Sequence, residues 1–183
     1  MGEDGGGRVM SFSEEALGQI RNEYSAISDK HQRLMMGYLS RNYKNARAKE
    51  YAEHGFSRRL QTLVRCIAKV FEILPPDRMD IPEREERIDA TINIQAFVFN
   101  VFGGADNLAW IWVLEKNITK GDGSPIPKNL IGLGKKCELV RKSFSPEFME
   151  YLRGLDDWFD HMENFRHALA HRIPLYILPY VVS

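Results

Sequence analysis

The sequence predicts an all-α fold, an up-and-down bundle of four main helices. Apolar residues recur at three- and four-residue spacing over long stretches, and helix start and stop signals bracket those stretches. No period-two strand pattern competes with them, and no internal repeat is visible. Residues 13–183 are therefore expected to form one helical-bundle domain, preceded by a disordered, Gly-rich leader at 1–12.

The first helix is expected from Ser13, an N-cap followed by Glu14 and Glu15 in the dipole-favoured first turn. Leu17, Ile20, Tyr24, Ile27, His31, Leu34, Met35 and Tyr38 then mark one face. A second helix is expected to start at Ser57, after His54-Gly55. Its apolar positions run from Leu60 to Leu74, and Pro75-Pro76 ends it. A third spans about Glu83 to Ile118, with Gly103-Gly104 in its middle at a cost of roughly 1 kcal/mol per Gly relative to Ala. That pair marks either a kink or a close approach of two helices. After a Gly121–Pro125 turn and an irregular stretch to Ser143, Ser145-Pro146-Glu147 is a strong start signal. It opens a last helix expected to run unbroken to His171 and to be closed by Pro174.

Composition bounds the function. The 183 residues carry 25 Lys+Arg against 25 Asp+Glu, so no global positive charge argues for nucleic acid. Apolar residues at 44% and charged residues at 27% fit an ordinary folded chain. Cys66 and Cys137 lack metal-ligand or redox spacing and read as small buried apolar groups. The stretch Ile92–Leu114 is apolar, but Asn93, Gln95, Asn100, Asp106 and Asn107 interrupt it. It reads as a core helix and not as a membrane span, and no membrane partner is expected. The start lacks the pattern of a secretory signal, so the expected location is cytoplasmic. The apolar end, PLYILPYVVS, either packs onto the body or marks a chain shorter than its relatives.

Charge is nevertheless uneven. Arg41, Lys44, Arg47, Lys49, Arg58, Arg59, Arg65 and Lys69 make a basic tract opposed only by Glu50 and Glu53. Lys135, Lys136, Arg141 and Lys142 form a smaller cluster before a last helix that begins acidic. These groups are either solvated faces and inter-helix ion pairs, or a footprint for a phosphate backbone.

The last helix carries the chemistry. Phe148, Leu152, Leu155, Phe159, Met162 and Leu169 form an a/d seam, and the member that the series skips is Arg166. A guanidinium cannot shed its charge, so an acid from another helix, a partner subunit or a bound anion must meet it there. Asp160, Asn164, His167 and His171 share a neighbouring stripe. Arg166 and His171 are about 140° apart on an ideal helix, so they converge only if the helix loosens before Ile173-Pro174 or if a second copy completes the site.

The segment Phe165-Arg166-His167-Ala168-Leu169-Ala170-His171-Arg172 resembles the HEPN-domain signature, an Arg, a polar residue, then a His after four to six intervening residues. The signature is specific over about eight residues, and its place on the last core helix of an all-α bundle matches. The resemblance implies a metal-independent endoribonuclease, or an RNA-directed domain descended from one, that dimerises with its signature helices facing. It makes His171 the general acid/base, Arg166 the phosphate-holding cation, and His167 the polar residue that orients them. Attack of a ribose 2′-hydroxyl on the adjacent phosphate needs a base near neutrality and a fixed cation. Arg58, Arg59, Arg65 and Arg172 are the expected RNA contacts, no cofactor or metal is expected, and an antitoxin or other protein is a candidate partner.

Two other readings compete, and two weaker signals are set aside. A buried ion pair at Arg166 would make this a silent interaction or assembly domain. His167, His171 and Glu163 have the spacing of metal ligands, but no third His or Cys stands elsewhere at diagnostic spacing. Gly132-Leu133-Gly134-Lys135-Lys136 is not a P-loop, and Trp110 and Trp112 read as core aromatics.

Overall fold

A computed structural model describes residues 12–178, and among them the chain is all-α, with no strand. The expected leader, apart from Phe12, lies outside the described residues. Helix α1 (Glu14–Leu39) begins as expected, with the Ser13 hydroxyl accepting the Ala16 N–H at 3.2 Å. Helix α2 (Ala46–Glu50) passes through a π-helical segment (Tyr51–Phe56) into α3 (Ser57–Ile73). The long α4 (Arg84–Lys116) follows, then a 3₁₀ turn (Lys128–Leu130), α5 (Glu138–Arg141), α6 (Pro146–Gly154) and α7 (Asp156–His171).

Helix α4 is the axis of the molecule. Helix α3 packs along one side of it and α7 along another, while α1 packs on α3. Among the described residues α1 and α7 do not pack along their lengths. By length and composition alone α4 is apolar enough to cross a membrane; here it is the central helix, flanked by α3 and α7. One core cluster, Ala109, Val113, Ile126, Ile131 and Val140, ties its end to the 126–140 connection. A second, Ala52, Phe56 and Ile111, ties it to the π segment.

Two helix boundaries differ from expectation. The second helix does not start at Ser57; helical backbone runs from Ala46, capped by the Asn45 side chain on the Arg47 and Ala48 N–H groups. His54-Gly55 lies inside it, and there Gly55 meets α4: an added Cβ would stand 3.0 Å from the Asn107 side chain. In this π segment the Ala52 carbonyl accepts the Ser57 N–H and also the Ser57 hydroxyl, the latter at 2.8 Å.

The last helix also is not continuous. It breaks at Leu155 (φ −100°, ψ 4°), so the seam from Phe148 to Leu169 is split between α6 and α7. The buried Arg141 guanidinium braces the break, donating to the Leu152 carbonyl at 3.1 Å and to Asp156 at 2.5 Å. That carbonyl accepts the Leu155 N–H in a tightened turn, so the α ladder ends there.

Other features follow the sequence reading. Ser145 caps α6 with Pro146 at its first position, and α3 ends just before Pro75. Both cysteines are buried and unpaired with each other. Trp112 packs on Phe144 and donates to the Ser143 hydroxyl, whereas Trp110 stacks on Tyr51 at 5.4 Å. Past α7 the chain lies on α4, with the Gln95 amide donating to the Leu175 carbonyl and the Ile177 N–H to the Thr91 hydroxyl. As far as Leu178 these two bonds hold the segment to α4, with Leu175 and Ile177 partly buried while Ile173, Tyr176 and Leu178 stay exposed.

Candidate functional site

Gly103-Gly104 resolves as a close approach, since α4 continues through it without interruption. The Arg59 side chain lies against Gly103, where an added Cβ would stand 2.4 Å from its Cζ. Its Nε donates to Asn107 at 3.0 Å and its Nη1 to Asn100 at 3.2 Å. Arg59, an expected RNA contact, thus commits two donors to joining α3 to α4. Arg58 and Arg65 are exposed on α3, with Arg58 beside His54, and Arg172 is exposed just past α7.

The turn of α4 from Phe102 to Asp106 faces a cavity of about 350 Å³. Phe102, Ala105 and Asp106 form its α4 wall, and the loop from Ile131 to Cys137 forms another. Phe159, Asp160, Glu163 and Arg166 of α7 complete it. The Arg166 guanidinium lies over the Phe102 ring, 4.3 Å from its centroid, an arrangement that suits a weakly hydrated planar cation. Among the described residues no carboxylate comes within ion-pair distance of it.

The other charges on this wall are mostly paired. Lys136 meets Glu163 at 2.5 Å, and Lys135 meets Asp160. Lys135 and Lys136 of the small basic cluster before α6 thus form inter-element ion pairs, as does Arg141 with Asp156, while Lys142 pairs with Glu138 one turn back. The Lys136 hydrogen bond holds the Glu163 carboxyl below its usual range, although partial burial works against it. Asp106 behaves in the opposite way. Burial pushes its carboxyl up; Arg166, Arg59 and Lys136 offset only part of that, and Glu163 adds to it.

The histidines lie elsewhere on α7. His167 is exposed, with Nε2 3.8 Å from the same Glu163 oxygen that Lys136 holds. That separation makes an ion pair when the imidazole is protonated. His171, also exposed, places its ring 6.3 Å from that of His167. Neither lines the cavity that Arg166 faces. Helix α7 remains helical through His171, with the Arg172 N–H on the Ala168 carbonyl, so the helix does not loosen to bring His171 and Arg166 together. Within one chain the structure joins Arg166 to Glu163 and Asp106, and His171 to His167. Among the described residues no three His, Cys, Asp or Glu side chains converge as a metal site.

Sequence reasoning did not assign Asp106 or Phe102 to this site, and considered Glu163 only as a metal ligand beside His167 and His171. The signal for Asp106 was visible as a lone acid in an apolar stretch, just past the glycine pair. Phe102 carried none, since core aromatics and guanidinium platforms have the same spacing on a helix. Comparison with known proteins found no matching family model, no matching curated protein and no matching solved structure.

Proposed function

We propose that this chain is a HEPN-like, RNA-directed domain that cleaves RNA without a metal ion, at a site completed by two copies. The observation that carries this reading is the state of Arg166. Its guanidinium is fixed on Phe102 at a cavity wall with no carboxylate within ion-pair distance, so it retains its capacity for bidentate contact with a phosphate. A guanidinium placed there only for stability would be expected to pair with an acid, as Arg141 does.

Arg166 then holds the scissile phosphate and stabilises the charge that develops on it. His171 transfers a proton, and His167 stands between His171 and the Glu163 end of the cavity. Because Arg166 and His171 of one α7 face different surroundings, the reaction joins Arg166 of one copy to His171 of the other. Ile88, Ile92 and Phe99 share one face of α4 and are exposed, as are Phe165 on α7 and Tyr176 beyond it, and these apolar groups supply a surface for that pairing.

The test is cleavage of a mixed RNA pool in EDTA by the parent protein, Arg166→Ala and His171→Ala. Each variant is expected to lose about 100-fold or more in rate, the cost of removing one charge-stabilising or proton-transferring group. The parent products are expected to end in 2′,3′-cyclic phosphate. A folded, dimeric parent that leaves RNA intact sinks the reading, and the exposed apolar stripe then favours a silent interaction domain.

A further inference from the structure

We infer that Asp106 is the base in this reaction: its carboxylate removes the proton from the ribose 2′-hydroxyl next to the phosphate held by Arg166. The inference rests on the ribonuclease reading above and assigns a residue that neither the signature motif nor its spacing includes.

Three carboxylates line the cavity, and two of them are occupied. Asp160 is paired with Lys135 and Glu163 with Lys136. Among the described residues, Asp106 accepts no hydrogen bond and has no cation within ion-pair distance. It is half-buried on α4, one turn from the Phe102 ring that carries Arg166, so acid and cation open onto the same space. The groups facing Asp106 are Arg59 from α3, Lys136 from the loop, and Glu163 and Arg166 from α7, with the Cys137 thiol also close enough to sense its charge. A cavity of about 350 Å³ has room for a ribose and its phosphate.

The environments also divide the labour. Burial raises the Asp106 carboxyl toward the working range of a base, while its lysine partner keeps Glu163 ionised and bound. In the step, the 2′-O–H bond breaks and the proton passes to Asp106. The oxygen's electron pair forms the 2′-O–P bond, and the P–O5′ bond breaks with its pair on the 5′ oxygen. That oxygen takes a proton from His171 of the second copy. Base and acid halves thus come from different residues, and His171 is left with the acid half.

The test uses a DNA oligonucleotide carrying one ribonucleotide, with the all-DNA version as a binding probe. Asp106→Asn is expected to cleave at least about 100-fold more slowly while binding the all-DNA probe within about twofold of the parent. Arg166→Ala is expected to lose both. A folded Asp106→Asn that cleaves like the parent overturns the base role and leaves the ribonuclease reading standing. A folded parent that cleaves nothing overturns that reading and the base role together. A second measurement needs no variant: a substrate with sulfur at the bridging 5′ position requires no acid. With it, the parent rate is expected to fall as acidification protonates Asp106. A rate that stays flat down to about pH 4, near the ordinary carboxyl value, overturns the base role.

Discussion

The Arg59 guanidinium occupies the space that a side chain at Gly103 would fill, leaving 2.4 Å between its Cζ and an added Cβ. Its bonds to Asn100 and Asn107 prevent it from swinging aside without loss. Gly103→Ala therefore sets an overpacking cost of about 1–3 kcal/mol against a helix-propensity gain of about 1 kcal/mol. The net result expected in urea unfolding is a loss of about 1 kcal/mol. Gly18 in α1, where an added Cβ meets nothing within 4 Å, gives the opposite sign. Gly18→Ala is expected to gain about 0.5–1 kcal/mol.

The apolar stripe on α4 makes a separate prediction about assembly. Ile92 is 56% exposed and Phe99 43%, so a charge at either position costs little in the isolated chain. At the interface of two copies it is expensive, because the partner surface offers nothing to pair it. Ile92→Asp with Phe99→Asp is expected to raise the dimer dissociation constant at least about 100-fold in sedimentation. Cleavage is expected to fall with dimer population and to recover at high protein concentration. An active parent that sediments as a monomer would remove the composite site.

What the sequence made legible was local. Ser13 and Ser145 cap helices through bonds three residues away, and Pro75-Pro76 stops α3, all decided by neighbours in the chain. The two misread boundaries were set from a distance. Gly55 lies within a helix where it meets Asn107 of α4, and the last helix breaks where Arg141 reaches the Leu152 carbonyl. The site divided along the same line. Arg166 stood out as a charge on an apolar seam, whereas Asp106 acquires its role from a loop and a helix far along the chain. The angle between Arg166 and His171 was also readable, and α7 keeps it.

Asp106 should make stability depend on pH in an unusual sense. Its carboxyl is raised in the folded chain above the ordinary value of 3.8, so the folded state holds the proton more tightly than the unfolded state. The group therefore costs stability at pH values above its folded pKa, and the cost disappears as the pH falls through that value toward 3.8. Asp106→Asn is expected to melt higher than the parent at neutral pH. The difference should shrink on acidification and vanish below the ordinary carboxyl range. A constant offset in calorimetry would instead mark a packing effect with no part for the charge.

The Arg141–Asp156 pair makes the largest stability prediction. The Arg141 side chain is only 8% exposed, and three oxygens satisfy it: Leu133 and Leu152 carbonyls at 2.9 and 3.1 Å, and Asp156 at 2.5 Å. Removing the acid leaves a buried cation with two neutral acceptors, at a cost of about 3 kcal/mol for Asp156→Ala. Asp156 retains some access to water, so removing the cation is cheaper on that side, but Arg141→Met also releases the Leu152 carbonyl. The double variant Arg141→Met with Asp156→Leu removes both charges and is expected to cost clearly less than the sum of the single variants. Chemical unfolding of the four proteins closes that cycle. If the costs simply add, the pair is not what holds the turn between α6 and α7. Because α7 carries Arg166, a broken turn is also expected to weaken binding of the all-DNA probe without any change in the residues that contact it.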